Sequence, residues 1–255
     1  MKIIYPDKIN AVVADEENAA FLVANVLDDY PKKVWKATSA DARLTLSVAS
    51  GAAAVAVFNT NATAVSVTVS DGISLTLQSG LTLQSGLTLM SGESLSVNQY
   101  DVDPGGTGAL WAEYAQVDNV HRIDLDFTGA SGTIIQAGVV RAGTKNEFPD
   151  PRYGIGEGLR DFSIVKELNN GALYIRKRDL VRKFQFDLNV TRDSDFYTFM
   201  RTILQQRGPA PLAWWIVDDT GDWNWVVYVR PDGFPFGRHR ASLYTNIGVS
   251  LLEVV

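Results

Sequence analysis

TRDSDFYTFMRTILQQRG, Thr191 to Gly208, decides how the C-terminal part of this chain folds. Phe196, Phe199, Met200, Ile203 and Leu204 recur at i, i+3, i+4, i+7 and i+8, one apolar stripe on a 3.6-residue period. Asp193 and Ser194 are placed to cap its start, and Asp195 suits the positive end of the helix dipole. Gly208 supplies a left-handed stop, and Pro209 forbids continuation. Strand-like sequence lies on both sides. FQFDLNV precedes the stretch, with Phe184, Phe186, Leu188 and Val190 alternating with polar residues. LAWWIV, Leu212 to Val217, follows it. A helix with one apolar face held between strands needs a sheet to cover. The expectation is therefore a C-terminal α+β domain over 151–255, with a separate β domain over 1–150.

Within the C-terminal part, Asn169-Asn170-Gly171 is a strong hairpin signal between DFSIVKE and ALYIRKRD. LAWWIV-DDTG-DWNWVVYV reads as a second hairpin, with a turn at Asp218 to Gly221. SLYTNIGVSLLEVV closes the domain as a final strand. GTKNEFPDPRYGIGEGLR, 143–160, is rich in Gly, Pro and charge and reads as the domain joint. Its GIGEG, 154–158, lacks the glycine spacing of a dinucleotide fingerprint and any Gly-Lys-Ser/Thr, so it is taken as linker.

The N-terminal part reads as strands. ARLTLSVA turns Leu44, Leu46 and Val48 inward. Ala53–Phe58 and Val65–Val69 are two more, joined by an Asn/Thr turn that suggests a hairpin. Phe21 to Val26 fits a buried strand or a short helical turn, ended by Asp28, Asp29 and Pro31. Ile123, Leu125 and Phe127 share one strand face, and TIIQAGVVRAG is apolar enough to be buried on both. Between these, ISLTLQ, SGLTLQ, SGLTLM and SGESLS form a six-residue repeat over 73–96. A solenoid needs many more turns, so a tandem expansion of a strand-and-loop region is expected, with an edge that invites pairing with another chain.

Composition excludes several function classes. The 255-residue chain carries 23 basic and 29 acidic residues, a net charge of −6, which disfavours generic duplex binding. It has no cysteine, so thiolate metal sites and cysteine nucleophiles are excluded. No segment reads as a membrane span or secretory signal. The two histidines, His121 and His239, lack local partners at metal spacing. Asp101 and Asp103 alternate like calcium ligands, but the rest of such a loop is missing. Asn61-Ala62-Thr63 fits a glycosylation acceptor, which matters only in a secreted protein. No serine sits in a nucleophile elbow. No catalytic residue, metal ligand or cofactor is therefore assigned, and the chain is expected not to be an enzyme. Two sets of side chains are candidates for binding. Trp35, Trp111 and Tyr114 could stack on sugars, although a core plug is the ordinary reading of Trp35. Arg176, Lys177, Arg178, Arg182 and Lys183 form a basic run in an acidic protein, suited to an acidic neighbouring subunit or merely to a solvated hairpin face.

From Gly154 on, the order FQFDLNV, DFYTFMRTILQQRG, PLAWWIV and a late strand pair ending in LLEV resembles the tail-tube-like fold of distal tail and baseplate proteins of tailed bacteriophages. NVLDDYPKKVW and HRIDLDF…GTIIQAGVVRAG in the N-terminal part resemble a discoidin-like or galactose-binding-like jelly roll. The resemblance implies a mainly β protein: an N-terminal β-sandwich plus a C-terminal β-sandwich with one flanking helix. It implies a structural subunit of the virion tail, made in the host cytoplasm. Such a subunit forms a homo-oligomeric ring, hexameric or trimeric, that joins the tail tube protein to the baseplate hub and other tail-tip proteins. The alternative it carries is a carbohydrate-binding module or adhesin for a host-surface glycan.

Overall fold

The computed structural model describes residues 1–70, 94–101, 108–151, 154–167, 172–191, 194–217, 225–239 and 244–254. The repeat at 73–93, Asp103, the Asn169-Asn170-Gly171 turn, Asp193 and the Asp218 to Gly221 turn lie outside these residues. The protein is mainly β. Its strands are β1 (Lys2–Asp7), β2 (Ile9–Ala14), β3 (Trp35–Lys36), β4 (Asp41–Val48), β5 (Ala52–Phe58), β6 (Ala64–Ser70), β7 (Ser94–Asp101), β8 (Leu110–Val117), β9 (His121–Thr128), β10 (Gln136–Ala137), β11 (Val139–Glu147), β12 (Gly156–Arg160), β13 (Ile164–Glu167), β14 (Leu173–Arg176), β15 (Val181–Thr191), β16 (Leu212–Trp215), β17 (Val226–Pro231), β18 (Phe236–His239) and β19 (Tyr244–Glu253). Two compact units emerge: Ile4–Asp28 with Lys32–Lys145, and Met1–Ile3 with Asp29–Pro31 and Asn146–Val255.

The first unit is a β-sandwich. One sheet runs β2-β4-β9-β6-β7, and β1, β11, β5 and β8 lie side by side in the facing layer. The alternation read from the sequence sets the core. Leu44, Leu46 and Val48 of β4 and Ile123, Leu125 and Phe127 of β9 are buried, and they pack in one cluster with Val55 and Val57 of β5 and Leu110 of β8. The expected hairpin between Ala53–Phe58 and Val65–Val69 is corrected. β5 pairs with β11 and β8, whereas β6 pairs with β9 and β7. The Asn/Thr turn carries the chain from one layer to the other, with Asn59 at φ 55° and the Thr60 N–H donating to the Gly108 carbonyl. Phe21 to Val26 resolves into a short 3-10 helix, Val23–Leu27, with Val26 buried. β11 begins apolar on both faces, as expected, but it also buries Arg141. That guanidinium donates to the carbonyls of Val26, Asp28 and Val140, so the cation is satisfied by backbone as well as by Asp7 at 3.5 Å. Burial pushes the Asp7 carboxyl up, against the pull of Arg141. Gly143 lets the first strand approach β11. A Cβ there would sit 2.1 Å from the Pro6 carbonyl oxygen.

The second unit holds an antiparallel sheet with a flanking helix and the separate two-stranded ladder of β13 and β14. The strands of the sheet run β12-β15-β19-β17-β16. β19 pairs with β15 from Tyr244 to Leu252, and its other edge is shared between β18 and β17. The organising stretch forms an α-helical turn, Asp195–Tyr197, which runs into a π-helical segment, Thr198–Gln205. Its stripe faces the sheet: Phe199, Ile203 and Leu204 are buried, and Phe199 meets Trp214 edge-on at 5.9 Å and Phe148 at 5.3 Å. Gly208 takes φ 64°, and its N–H donates to the Leu204 carbonyl, the expected stop. The cap expected at Ser194 is corrected, while Asp193 lies outside the described residues. The Ser194 hydroxyl is engaged with Thr191 and Asp195, and no side chain caps the helix at that position. Asp29 joins this unit by accepting from Arg207 at 2.6 Å and from the Tyr228 hydroxyl at 2.9 Å. The linker reading of 154–158 is also corrected. Gly156 to Arg160 is an edge strand in register with β15, because a ladder needs only backbone groups and glycines supply them.

Glu253 sits in this sheet with little exposure. Burial pushes its carboxyl above the ordinary 4.5, opposed by Arg182. A raised folded value means that the stabilising form is the protonated one. Its contribution is complete below the ordinary value and is lost as pH rises through the folded value. Glu253→Gln is therefore expected to stabilise the protein at pH 7. The advantage should vanish in urea titrations run near pH 4, and an equal gain at both pH values would refute the assignment.

Candidate functional site

The structure closes two of the aromatic candidates. Trp35 is 0% exposed, with its ring 5.9 Å from Phe127 and its Nε1–H donating to the Glu16 carbonyl. Trp111 is 1% exposed, and its Nε1–H donates to Glu113, which also holds Lys145 at 2.8 Å. An indole with no open face offers no platform to a sugar ring. Tyr114 is half-buried against the sandwich core. Its hydroxyl meets Nε2 of the buried His121 at 3.2 Å, while Nδ1 lies 3.1 Å from the Asn119 carbonyl. A carbonyl only accepts, so Nδ1 carries a proton, and in the neutral ring Nε2 then accepts from the tyrosine. Burial pushes the phenol upward.

The basic run divides into two parts. Arg182 and Lys183 lie on β15 and are engaged inside the unit. Arg182 pairs with Glu157 at 2.8 Å and approaches Glu253 at 3.9 Å, and Lys183 meets Asp232 at 3.0 Å. Lys183, with Arg160, holds the Asp232 carboxyl below its usual range. Arg176, Lys177 and Arg178 instead lie exposed at the end of β14 and just beyond it.

These three cations belong to a feature the sequence only half announced. β13 and β14 pair with each other and, among the described residues, with no other strand. Val165 and Ile175 face each other across the ladder, and Leu173 follows on the same side, two residues along. All three are exposed, Val165 at 62% and Leu173 at 65%, and Tyr174 is exposed on the opposite side. A two-stranded hairpin with its apolar side in water is marginal by itself. The arrangement is a hairpin with three exposed apolar residues on one side, where Glu167 stands opposite Leu173, and with cations at one end.

A second feature is a cleft of roughly 420 Å³ on the outer face of β15 and β19, lined by Gly154, Gln185, Asp187, Gly248 and Ser250 among others. No group of carboxylates or histidines suited to a metal occurs among the described residues, and no helix among them is long and apolar enough to cross a membrane.

No family model matches the chain, and no curated protein matches it. Nine solved chains are similar. One is reduced XRCC1 bound to the DNA pol beta catalytic domain, at 14% identity over 54% of this chain and 97% of that one, with a TM-score of 0.39. Another is a pectin-binding carbohydrate-binding module, at 13% identity over 55% and 93%, with a TM-score of 0.39. A third is a truncated AlyQ with CBM32 and alginate lyase domains, at 14% identity over 76% and 55%, with a TM-score of 0.39. Likeness this loose carries no functional argument, and the fold assignment above rests on strand order and register.

Proposed function

We propose that this chain is a structural subunit of a bacteriophage tail tip or baseplate. It forms a ring of identical copies that joins the tail tube to the hub or to receptor-binding proteins. The observation that carries the reading is the β13–β14 hairpin, which exposes Val165, Leu173 and Ile175 on one side and Arg176, Lys177 and Arg178 at its end. The occupant that suits it is a second copy of a chain whose net charge is −6. The order of strand β15, helix, β16 and β19 supports the same reading through its resemblance to tail-tube-like subunits. The alternative, sugar recognition through Trp35, Trp111 or Tyr114, lacks an exposed ring at the two tryptophans.

Mass photometry and sedimentation velocity of the full chain test this. The expected result is a closed oligomer whose population falls at least tenfold in the double variant Leu173→Asp and Ile175→Asp, with unchanged circular dichroism, because both positions are exposed. A wild-type chain that stays monomeric at high concentration would remove the proposal.

A further inference from the structure

The outer face of the second sheet carries a trough whose floor has almost no side chains. Paired residues of an antiparallel ladder share a face, so the register places groups in rows across the strands. In one row Asp187 of β15 opposes Gly248 of β19, which opposes Phe236 of β18. In the next row Gly156 of β12 opposes Gln185, which opposes Ser250. On the far side of the central row, Asn189 opposes Asn246. Glycine inside a strand weakens it, and such a residue commonly marks a place where something approaches the backbone. A Cβ on Gly248 would meet only the Asp187 carboxylate, at 3.4 Å, so packing does not demand the glycine.

The trough is lined by polar groups, and an exposed aromatic residue stands next to it on β18. Asp187 and Gln185 are exposed and have no hydrogen-bond or ion-pair partner among the described residues. Ser250 Oγ and Asn246 Oδ1 are buried and also lack a partner. A buried hydroxyl left unmatched costs free energy, which a ligand donor or acceptor would recover. Beside the trough Phe236 is 76% exposed, far more than a ring of that size needs for folding. Asp187 and Phe236 are two strand spacings apart, about 10 Å, with the glycine between them.

We propose that this trough binds a neutral saccharide. A pyranose has an apolar C–H face for Phe236 and vicinal hydroxyls for Asp187 and Gln185. The exposed Asp187 carboxylate disfavours an anionic group beside it, while the exposed Arg238, opposite Asn246 in the neighbouring row, lies farther along β18. The site lies in the C-terminal unit and is independent of both the aromatic trio of the sandwich and ring formation.

The test is NMR titration of the full chain with the methyl α- and β-pyranosides of glucose, galactose, mannose and N-acetylglucosamine, with glucuronate as the anionic control. At least one neutral pyranoside should bind with Kd of about 1 mM or tighter, and glucuronate should not. Phe236→Ala and Asp187→Asn should each weaken it roughly tenfold or more. Gly248→Leu, which fills the floor, should abolish binding while the spectrum stays folded. No binding by any neutral pyranoside, stronger binding of glucuronate, or binding indifferent to all three variants would overturn the proposal.

Discussion

Trp35→Ala is expected to lower the stability of the sandwich by roughly 3–5 kcal/mol, the range for emptying a fully buried large aromatic site. The indole is completely enclosed, packs on Phe127 and forms part of the same cluster as Leu44, Leu46 and Leu125. Its backbone sits in the two-residue ladder with Ala137, so little surrounding structure can collapse into the void. The Glu16 carbonyl would also lose its donor. Trp35→Phe should recover part of the loss, because the ring volume is mostly restored. The measurement is the urea midpoint followed by tryptophan fluorescence and circular dichroism together. A surface platform would instead tolerate the alanine within a few tenths of a kcal/mol.

Phe199→Ala should be comparably damaging to the second unit, again roughly 3–5 kcal/mol. This one ring bridges Trp214 of β16 and Phe148, both in edge-on contact. Helices of this length hold their shape through tertiary packing and not through propensity. The variant should therefore lose helical signal along with its packing, and hydrogen exchange at Ile203 and Leu204 should accelerate first. Met200→Ala, at a half-buried position on the same stripe, should cost clearly less. Equal losses at 199 and 200 would show that the stripe does not face the sheet as described.

The parts of this fold legible in the sequence were those specified by local period. The stripe from Phe196 to Leu204, the alternation of Phe184 to Val190 and the Gly208 stop all follow from neighbours a few residues apart. Pairings between distant segments left weaker traces. Nothing in Ala53–Phe58 says that its partners are β11 and β8 and not the adjacent Val65–Val69. Glycines in GIGEG looked like linker because their contribution to β12 is purely backbone. Exposure was equally hidden. A tryptophan that plugs a core and one that faces water are the same letter, so the sequence could favour a plug at Trp35 without deciding it and left Trp111 as a platform candidate. The trough was invisible for a related reason: Asp187, Gly248 and Phe236 meet only through the registers of three strands. The hairpin of β13 and β14 was signalled by the Asn-Gly step in the sequence between them, but its separation from the other strands among the described residues was not.

The pairing of β15 with β19 has a consequence for biosynthesis. Phe184, Phe186, Leu188 and Val190 leave the ribosome well before Tyr244–Glu253, the strand that lies beside them along nearly their whole ladder. Until then the nascent chain holds an apolar strand with one long edge unmatched, a state prone to intermolecular association. Translation arrested before residue 244 should yield a chaperone-bound, protease-sensitive product, and release beyond Glu253 should convert it to a resistant one.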